Sequence, residues 1–198
     1  MRHHRYGAVI ELVLIVAAAL GLALVIQAFL VKPYRIPSSS MEPTLDVGER
    51  VLVNRVNYRF SDPSRGDIVV FHPPKGADGN ICGITHPADQ PCPRPTNERS
   101  SVNFIKRIVA LPGDSIAIRD GHAVVNGKAQ NESFIRPCNG VGECSFPRAF
   151  KVPPDHFFMM GDNRGESDDS RFWGPVPKKW IIGEAFFTYW PLKRVGLL

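Results

Sequence analysis

The pattern of apolar and polar positions changes once along this chain. From Leu12 to Val31 the sequence LVLIVAAALGLALVIQAFLV is a 20-residue apolar run interrupted only by Gly21 and Gln27. As a helix it spans about 30 Å, the depth of a hydrocarbon core. It predicts a transmembrane anchor over 8–31, behind a short basic tail, 1–7. Beyond it no helical period lasts longer than two turns, and apolar residues recur in short runs with the spacing of half-buried strands. Strands are predicted over Val51–Phe60, Arg65–Phe71, Asn103–Ala110, Ser115–Arg119 and His122–Val125. Further runs are Ala149–Pro154 leading into His156–Met160, and Trp180–Trp190, whose aromatic residues are expected in the core. Asp120-Gly121 and Asn126-Gly127 lie between β-rich runs and mark hairpin turns. Residues 72–101 are rich in Pro, Gly, Asn, Asp and Ser and read as a long surface excursion. The expected fold is mainly β: an all-β domain over 32–198 on an N-terminal transmembrane helix.

The basic flank Met1-Arg-His-His-Arg5 resembles the start of a secretory signal. The apolar run is longer than a cleavable signal's core, and Lys32-Pro-Tyr-Arg35 follows it with no small-x-small site, so an uncleaved anchor is expected. Lys32 and Arg35 also flank its far end, and the short basic tail tips the orientation towards the N-terminus inside and the large domain outside.

Composition narrows the classes. With 198 residues, 22% charged and 43% hydrophobic, the chain has room for one globular domain besides the anchor. The net charge of +5 is scattered, without a Lys/Arg run, which argues against a nucleic-acid partner and suits proximity to anionic lipid. Cys82, Cys92, Cys138 and Cys144 form two local pairs, each closing a small loop, as disulfides in an oxidising compartment do. A zinc site needs CxxC or histidines at metal spacing, and only His86 lies between a pair, so no metal and no cofactor are expected.

Candidate chemistry centres on Arg35-Ile-Pro-Ser-Ser-Ser-Met-Glu-Pro-Thr-Leu45. Such a serine strip can be plain linker, but Pro37 and Pro43 stiffen it close to the anchor. In an extended chain Ser38 and Ser40 share a face and Ser39 points away. A serine nucleophile needs a base. None of the six histidines (His3, His4, His72, His86, His122 and His156) sits in a triad motif. Lys106 is the better candidate, mid-strand with Phe104 and Ile108 on its own face, because an apolar setting lowers a lysine pKa. The competing reading is an edge-strand lysine that guards against aggregation. Arg107, on the opposite face, reads as structural.

Four blocks together resemble the bacterial type I signal peptidases: Ser38-x-Ser40-Met41-x-Pro43-Thr44-Leu45; Arg65-Gly-Asp-Ile-Val-Val-Phe71; Lys106-Arg-x-Val-x-Leu-Pro-Gly-Asp114; and Gly161-Asp-Asn-Arg164 through Ser167, Asp169, Arg171 and Trp173-Gly174. They stand in that family's order behind an N-terminal anchor. The resemblance implies strongly bent antiparallel sheets and a membrane-bound serine endopeptidase with a Ser/Lys dyad. Such an enzyme removes signal peptides from exported preproteins after Ala-x-Ala on the outer face of the bacterial cytoplasmic membrane. It implies Ser40 as nucleophile and Lys106 as general base. Ser38 is then the oxyanion donor beside the Ser40 N–H, and Ser167 orients the lysine. Asp169 and Arg171 are a supporting ion pair, with Asp162 in the same loop. Ile36, Met41 and Ile105 are placed at the substrate pockets. The implied partners are preproteins and the lipid bilayer.

The chain departs from the family pattern in places. Many Gram-negative members have a second membrane segment where one is visible here. Ser39 replaces a common glycine, Gly165-Glu166 replaces a more usual Asp-Asn type pair, and the 72–101 excursion is long. Cys138 and Cys144 resemble a disulfide of some Gram-negative members, whereas Cys82 and Cys92 have no counterpart. Three other readings stay open: a specialised pilin- or conjugation-maturing peptidase, an anchored β-domain that binds peptide or lipid without catalysis, and a self-cleaving repressor. The last is disfavoured by the anchor and the lack of a DNA-binding module.

Overall fold

The computed structural model describes residues 3–138 and 144–198, so Met1, Arg2 and the middle of the 138–144 loop lie outside the described residues. A 27-residue helix, α1 (His3–Phe29), opens the chain. Its large apolar side chains from Val9 to Leu24 are all exposed. Among the described residues no helix is long and apolar enough to cross a membrane. Two further helices are single turns, α2 (Asn57–Phe60) and α3 (Ser170–Trp173).

The remaining elements are strands: β1 (Val31–Arg35), β2 (Arg50–Asn54), β3 (Ile68–Phe71), β4 (Phe104–Ala110), β5 (Ser115–Arg119) and β6 (His122–Val125). They continue as β7 (Lys128–Ala129), β8 (Phe146–Lys151), β9 (His156–Met160), β10 (Val176–Pro177), β11 (Ile181–Trp190) and β12 (Gly196–Leu197). The larger sheet has eight strands in the order β1-β2-β11-β3-β4-β9-β10, with β12 paired to β11. The smaller has four, β7-β6-β5-β8. All strand pairings are antiparallel. Register shifts in β4 against β9 and in β11 against β2 and β3 bend the larger sheet.

The hairpin signals are realised. Asp120 and Gly121 have φ of 50° and 80°, and Asn126 and Gly127 have 52° and 78°. These left-handed pairs match the strand twist of a two-residue hairpin. The strand predicted over Val51–Phe60 is shorter. Asn54 Oδ1 accepts from the N–H groups of Val56 and Asn57, ending β2 and starting α2. Arg65–Asp67 form a turn ahead of β3, not part of it. The expectation that the β11 aromatics are core also needs correction. Phe186, Phe187 and Tyr189 are half-buried and Trp190 is 50% exposed, while Gly183, Ala185 and Thr188 face inward.

Apolar residues of Ile36, Met41, Leu45, Val51, Val53, Ile68, Val70 and Ile105 form one core beneath the serine strip. Val69, Phe71, Ile108, Met159 and Trp173 form another on the opposite face of β3 and β4. The two cores fix β4 from both sides. Both cysteine pairs are disulfides, Cys82–Cys92 and Cys138–Cys144. Cys82, His86 and Cys92 bring their ligand atoms within 4.8 Å of one another, but both sulfurs are committed to the disulfide.

Candidate active site

The serine strip is not extended throughout. Ser38 is extended, with φ −139° and ψ 163°, and Ser39–Met41 then make one 3-10 turn. Glu42, ahead of Pro43, returns to extended geometry and ends it. The turn still brings two hydroxyls together: Ser38 Oγ donates to Ser40 Oγ at 3.4 Å. Ser39 points elsewhere and donates to Glu166 at 3.1 Å. The Ser40 backbone is held from the far side of the fold, where Asn163 N–H donates to the Ser40 carbonyl at 3.1 Å and Asn163 Nδ2 to the Ser39 carbonyl at 3.2 Å.

Lys106 lies in β4, paired with β3 through Val69 on one side, while β9 joins the other side from Arg107 onwards. Its amine is buried and turned to Ser40, which removes the reading as a solvent-facing gatekeeper lysine. Its Nζ reaches Ser40 Oγ at 2.6 Å. Lys106 is 4% exposed and Ser40 6% exposed, so the pair is screened from water. Burial lowers the Lys106 amine from 10.5 to about 8; Asp169 and Asp168 pull it back upward, and Arg171 opposes them. About a tenth of the amine is then neutral at pH 7, against well under a thousandth for an ordinary lysine, and that form has a lone pair able to accept the serine proton.

The loop after β9 supports the pair. Asp169 caps α3 by accepting from Arg171 N–H, and it also accepts from Gly161 N–H at 3.1 Å. The Arg171 guanidinium forks onto the same carboxylate at 2.8 and 2.9 Å. Burial alone would raise Asp169, but Arg171 and Lys106 hold it below the usual carboxylate range. Arg171 Nη2, one arm of that fork, also donates to the Ser167 carbonyl at 2.9 Å. The Ser167 hydroxyl is 5% exposed and has no hydrogen-bond partner among the described groups. It packs against Gly161, where a Cβ would lie 2.2 Å from Ser167 Oγ and 2.3 Å from the Ser40 carbonyl oxygen. Glycine at 161 thus lets the serine turn and the Ser167 loop meet.

Asp162 is fully buried and pairs with Arg107 at 2.7 Å, and it also accepts from Thr44 Oγ1 at 2.5 Å. It braces the serine strip against β4 without touching the Ser40–Lys106 pair. Ile105 borders the cleft at the pair, while Ile36 and Met41 are buried in the core under it. The cleft has a volume of 380 Å³ and is lined by Ser38, Ser40, Phe104, Ile105 and Lys106, with Asp78 and Asp168 at its rim.

Sequence reasoning did not find several of these groups. Asn163 sits in a recognised block, yet nothing local showed that it would reach Ser40. Arg164 and Glu132 form a fully buried pair at 2.8 Å, and no signal around Glu132 pointed to it. Asp78 arrives from the excursion, which had no assigned role.

A model of the family described as signal peptidase, peptidase S26, matches residues 9–190. A probable signal peptidase I-2 of a Synechocystis strain is 39% identical over 191 residues, covering 96% of this chain and 77% of the relative. A signal peptidase I of Leptolyngbya laminosa is 38% identical over 179 residues, covering 89% and 77%. A solved signal peptidase I from Enterococcus faecalis aligns over 63% of this chain and 97% of its own, with a TM-score of 0.41 and 23% identity. The family match spans most of the N-terminal apolar run, the serine strip, β4 and the loop after β9, and with it this chain belongs to the signal peptidases of peptidase family S26.

Proposed function

We propose that the protein is a membrane-anchored serine endopeptidase that cleaves signal peptides from exported preproteins after small-x-small sites of the Ala-x-Ala type. Ser40 is the nucleophile and neutral Lys106 the general base. The observation that carries this reading is the buried 2.6 Å approach of Lys106 Nζ to Ser40 Oγ.

In the first step the Ser40 hydroxyl passes its proton to Nζ as Oγ bonds to the scissile carbonyl carbon. The oxyanion that forms is held by the Ser38 hydroxyl, which turns to it from Ser40 Oγ, and by the Ser40 N–H. Collapse breaks the C–N bond, Lys106 returns the proton to the leaving amine, and an ester to Ser40 remains. Water, deprotonated by Lys106, hydrolyses that ester. Ser167 serves as the orienting hydroxyl for the amine, and the Asp169–Arg171 pair fixes the loop that carries it. The substrate binds extended along Phe104–Lys106, where β4 pairs with β3 but not with β9. Ile105 at the cleft, over Ile36 and Met41, favours small apolar side chains.

The anchor is assigned to 8–31, with the tail 1–7 in the cytoplasm and the domain 32–198 outside the bacterial cytoplasmic membrane. What supports it is the apolar run itself and the exposure of the large apolar α1 side chains from Val9 to Leu24. The expected result is that Ser40→Ala and Lys106→Ala each lower cleavage of an Ala-x-Ala precursor by at least ~10³-fold. Near-wild-type cleavage by either variant would sink the dyad. Processing of several unrelated precursors separates a general enzyme from a specialised pilin-type one.

A further inference from the structure

A second cleft, remote from Ser40, lies where α1 joins the domain. The Leu30 carbonyl, one residue past the end of α1, accepts from Arg55 N–H at 2.9 Å, so the stretch from Arg55 to Phe60 is fixed at the root of the helix. Phe60, the last residue of α2, is 87% exposed. Its chain neighbour Arg59 lines a cleft of 310 Å³ together with Arg55, Arg99, Lys178, Lys179, Tyr58 and Trp180. It shares Tyr58, Lys178, Lys179 and Trp180 with a wider cavity of 890 Å³ that adds Arg94. Cations outnumber acids in both. Lys178 pairs with Asp62 at 2.5 Å, but among the described residues no ion pair involves Arg59, Arg99 or Lys179. The neighbouring acids are engaged elsewhere: Glu184 accepts from Asn57, and Asp67 accepts from Tyr58.

Unpaired like charges gathered in a concave site repel one another unless an anion occupies it. Guanidinium groups match the oxygens of a phosphodiester. A free anion would explain the charge but not Phe60, an aromatic side chain left bare next in the chain to Arg59, at the base of a helix built of exposed Leu, Ile and Val. We propose that this cleft binds the headgroup of an anionic phospholipid, with Phe60 seated among the acyl chains of the same leaflet. The proposal rests on reading α1 as a membrane anchor. A basic cleft at this position would face the anionic surface of the bilayer. Seating the headgroup here fixes the domain's tilt on the membrane.

The test uses the full chain in a neutral detergent, titrated with short-chain phosphatidylglycerol, phosphatidylcholine of the same chain length, or inorganic phosphate, with bound lipid counted by native mass spectrometry. Phosphatidylglycerol is expected to bind at a concentration at least tenfold lower than phosphatidylcholine. The exposed double variant R99Q/K179Q should abolish that preference, and Phe60→Ser should weaken lipid binding severalfold. Equal binding of the two lipids, or an unchanged preference in the double variant, overturns the proposal. Inorganic phosphate competing at the same concentration as the lipid reassigns the site to a free anion and also overturns it. Carbonate extraction of membranes checks the underlying anchor separately. A chain released by carbonate overturns both anchor and lipid site, whereas a retained chain without lipid preference overturns the lipid site alone. Precursor cleavage in the same detergent should be unchanged in R99Q/K179Q, since neither residue borders the Ser40 cleft.

Discussion

Lys106 sits on a strand flanked by two apolar cores, and burial takes its amine down to about 8. Two outcomes follow, with opposite signs. On the proposed mechanism the base is the neutral form, so cleavage should fall about tenfold per pH unit below 8 and level off above it. Asp168 is exposed and holds the Lys106 pKa up; Asp168→Asn should therefore move the acid limb of the kcat/KM profile to lower pH. A limb that stays in place, or moves up, would show that another group controls it. For stability the ordinary lysine value of 10.5 governs the unfolded chain and about 8 the folded one. Below pH 8 folding must place a charged amine in an apolar setting, a cost of roughly 3 kcal/mol that disappears as pH rises from 8 towards 10.5. Lys106→Met should thus be inactive yet more stable than the parent at pH 7 by up to about 3 kcal/mol, with the advantage fading by pH 10.5. Urea midpoints at the two pH values check this. The lysine itself was legible in the sequence because an amine between Phe104 and Ile108 has to be paired or neutral. The partners that fix its environment were not. Glu132 and Arg164, or Asn163 and Ser40, meet only through the fold, and no local pattern records them.

The serine turn and the loop after β9 come within touching distance because position 161 has no side chain. A Cβ there would meet the Ser167 hydroxyl and the Ser40 carbonyl well inside van der Waals distance. One of those obstacles is a side-chain hydroxyl that can rotate; the other is the backbone of Ser40. Gly161→Ala is therefore expected to push the turn away from Lys106, costing about 1–3 kcal/mol of stability. It should lower kcat more than it raises KM, because the displaced atoms belong to Ser40, the proposed nucleophile. A variant with full kcat would show that the turn adjusts freely. At this scale the sequence was partly readable. Asp-Gly and Asn-Gly announced their hairpins because a left-handed turn is a local demand. The 3-10 turn at Ser39–Met41 was read as extended because proline restricts its neighbours without dictating what lies between. The expected sharing of a face by Ser38 and Ser40 is met by a turn, not by strand alternation. Asn54 likewise shortened β2 through two side-chain hydrogen bonds that period-two counting does not see.

Across the whole molecule the 72–101 excursion is a clamp between the two sheets. Its neck is closed by backbone bonds from Lys75 to Glu98 and from Ser100 to Pro73. Further out, Gly83 N–H donates to the Arg94 carbonyl, and the Cys82–Cys92 disulfide locks the same turn. From there it reaches both halves of the fold. Cys92 N–H donates to the Arg171 carbonyl in α3 at 2.9 Å, Asn80 donates to Asp168 at 2.7 Å, and Asp89 pairs with Arg148 of β8 at 3.0 Å. Asp78 enters the rim of the Ser40 cleft as a result. The disulfide joins residues ten apart, and closing a loop of that size in the unfolded chain is worth about 3 kcal/mol. Cys82→Ser with Cys92→Ser should lower the stability of the non-reduced protein by that order, read from denaturant midpoints. The Cys92 N–H and the neck bonds survive the change, and among the described residues no hydrogen bond or ion pair joins Ser40 or Lys106 to the excursion. The double variant should therefore keep kcat and show a raised KM, since what loosens is the wall of the cleft and not the reacting pair. A fall in kcat at unchanged KM would mean that the clamp holds Arg171, and through Asp169 the lysine, and that the excursion acts on the chemistry instead of on substrate capture.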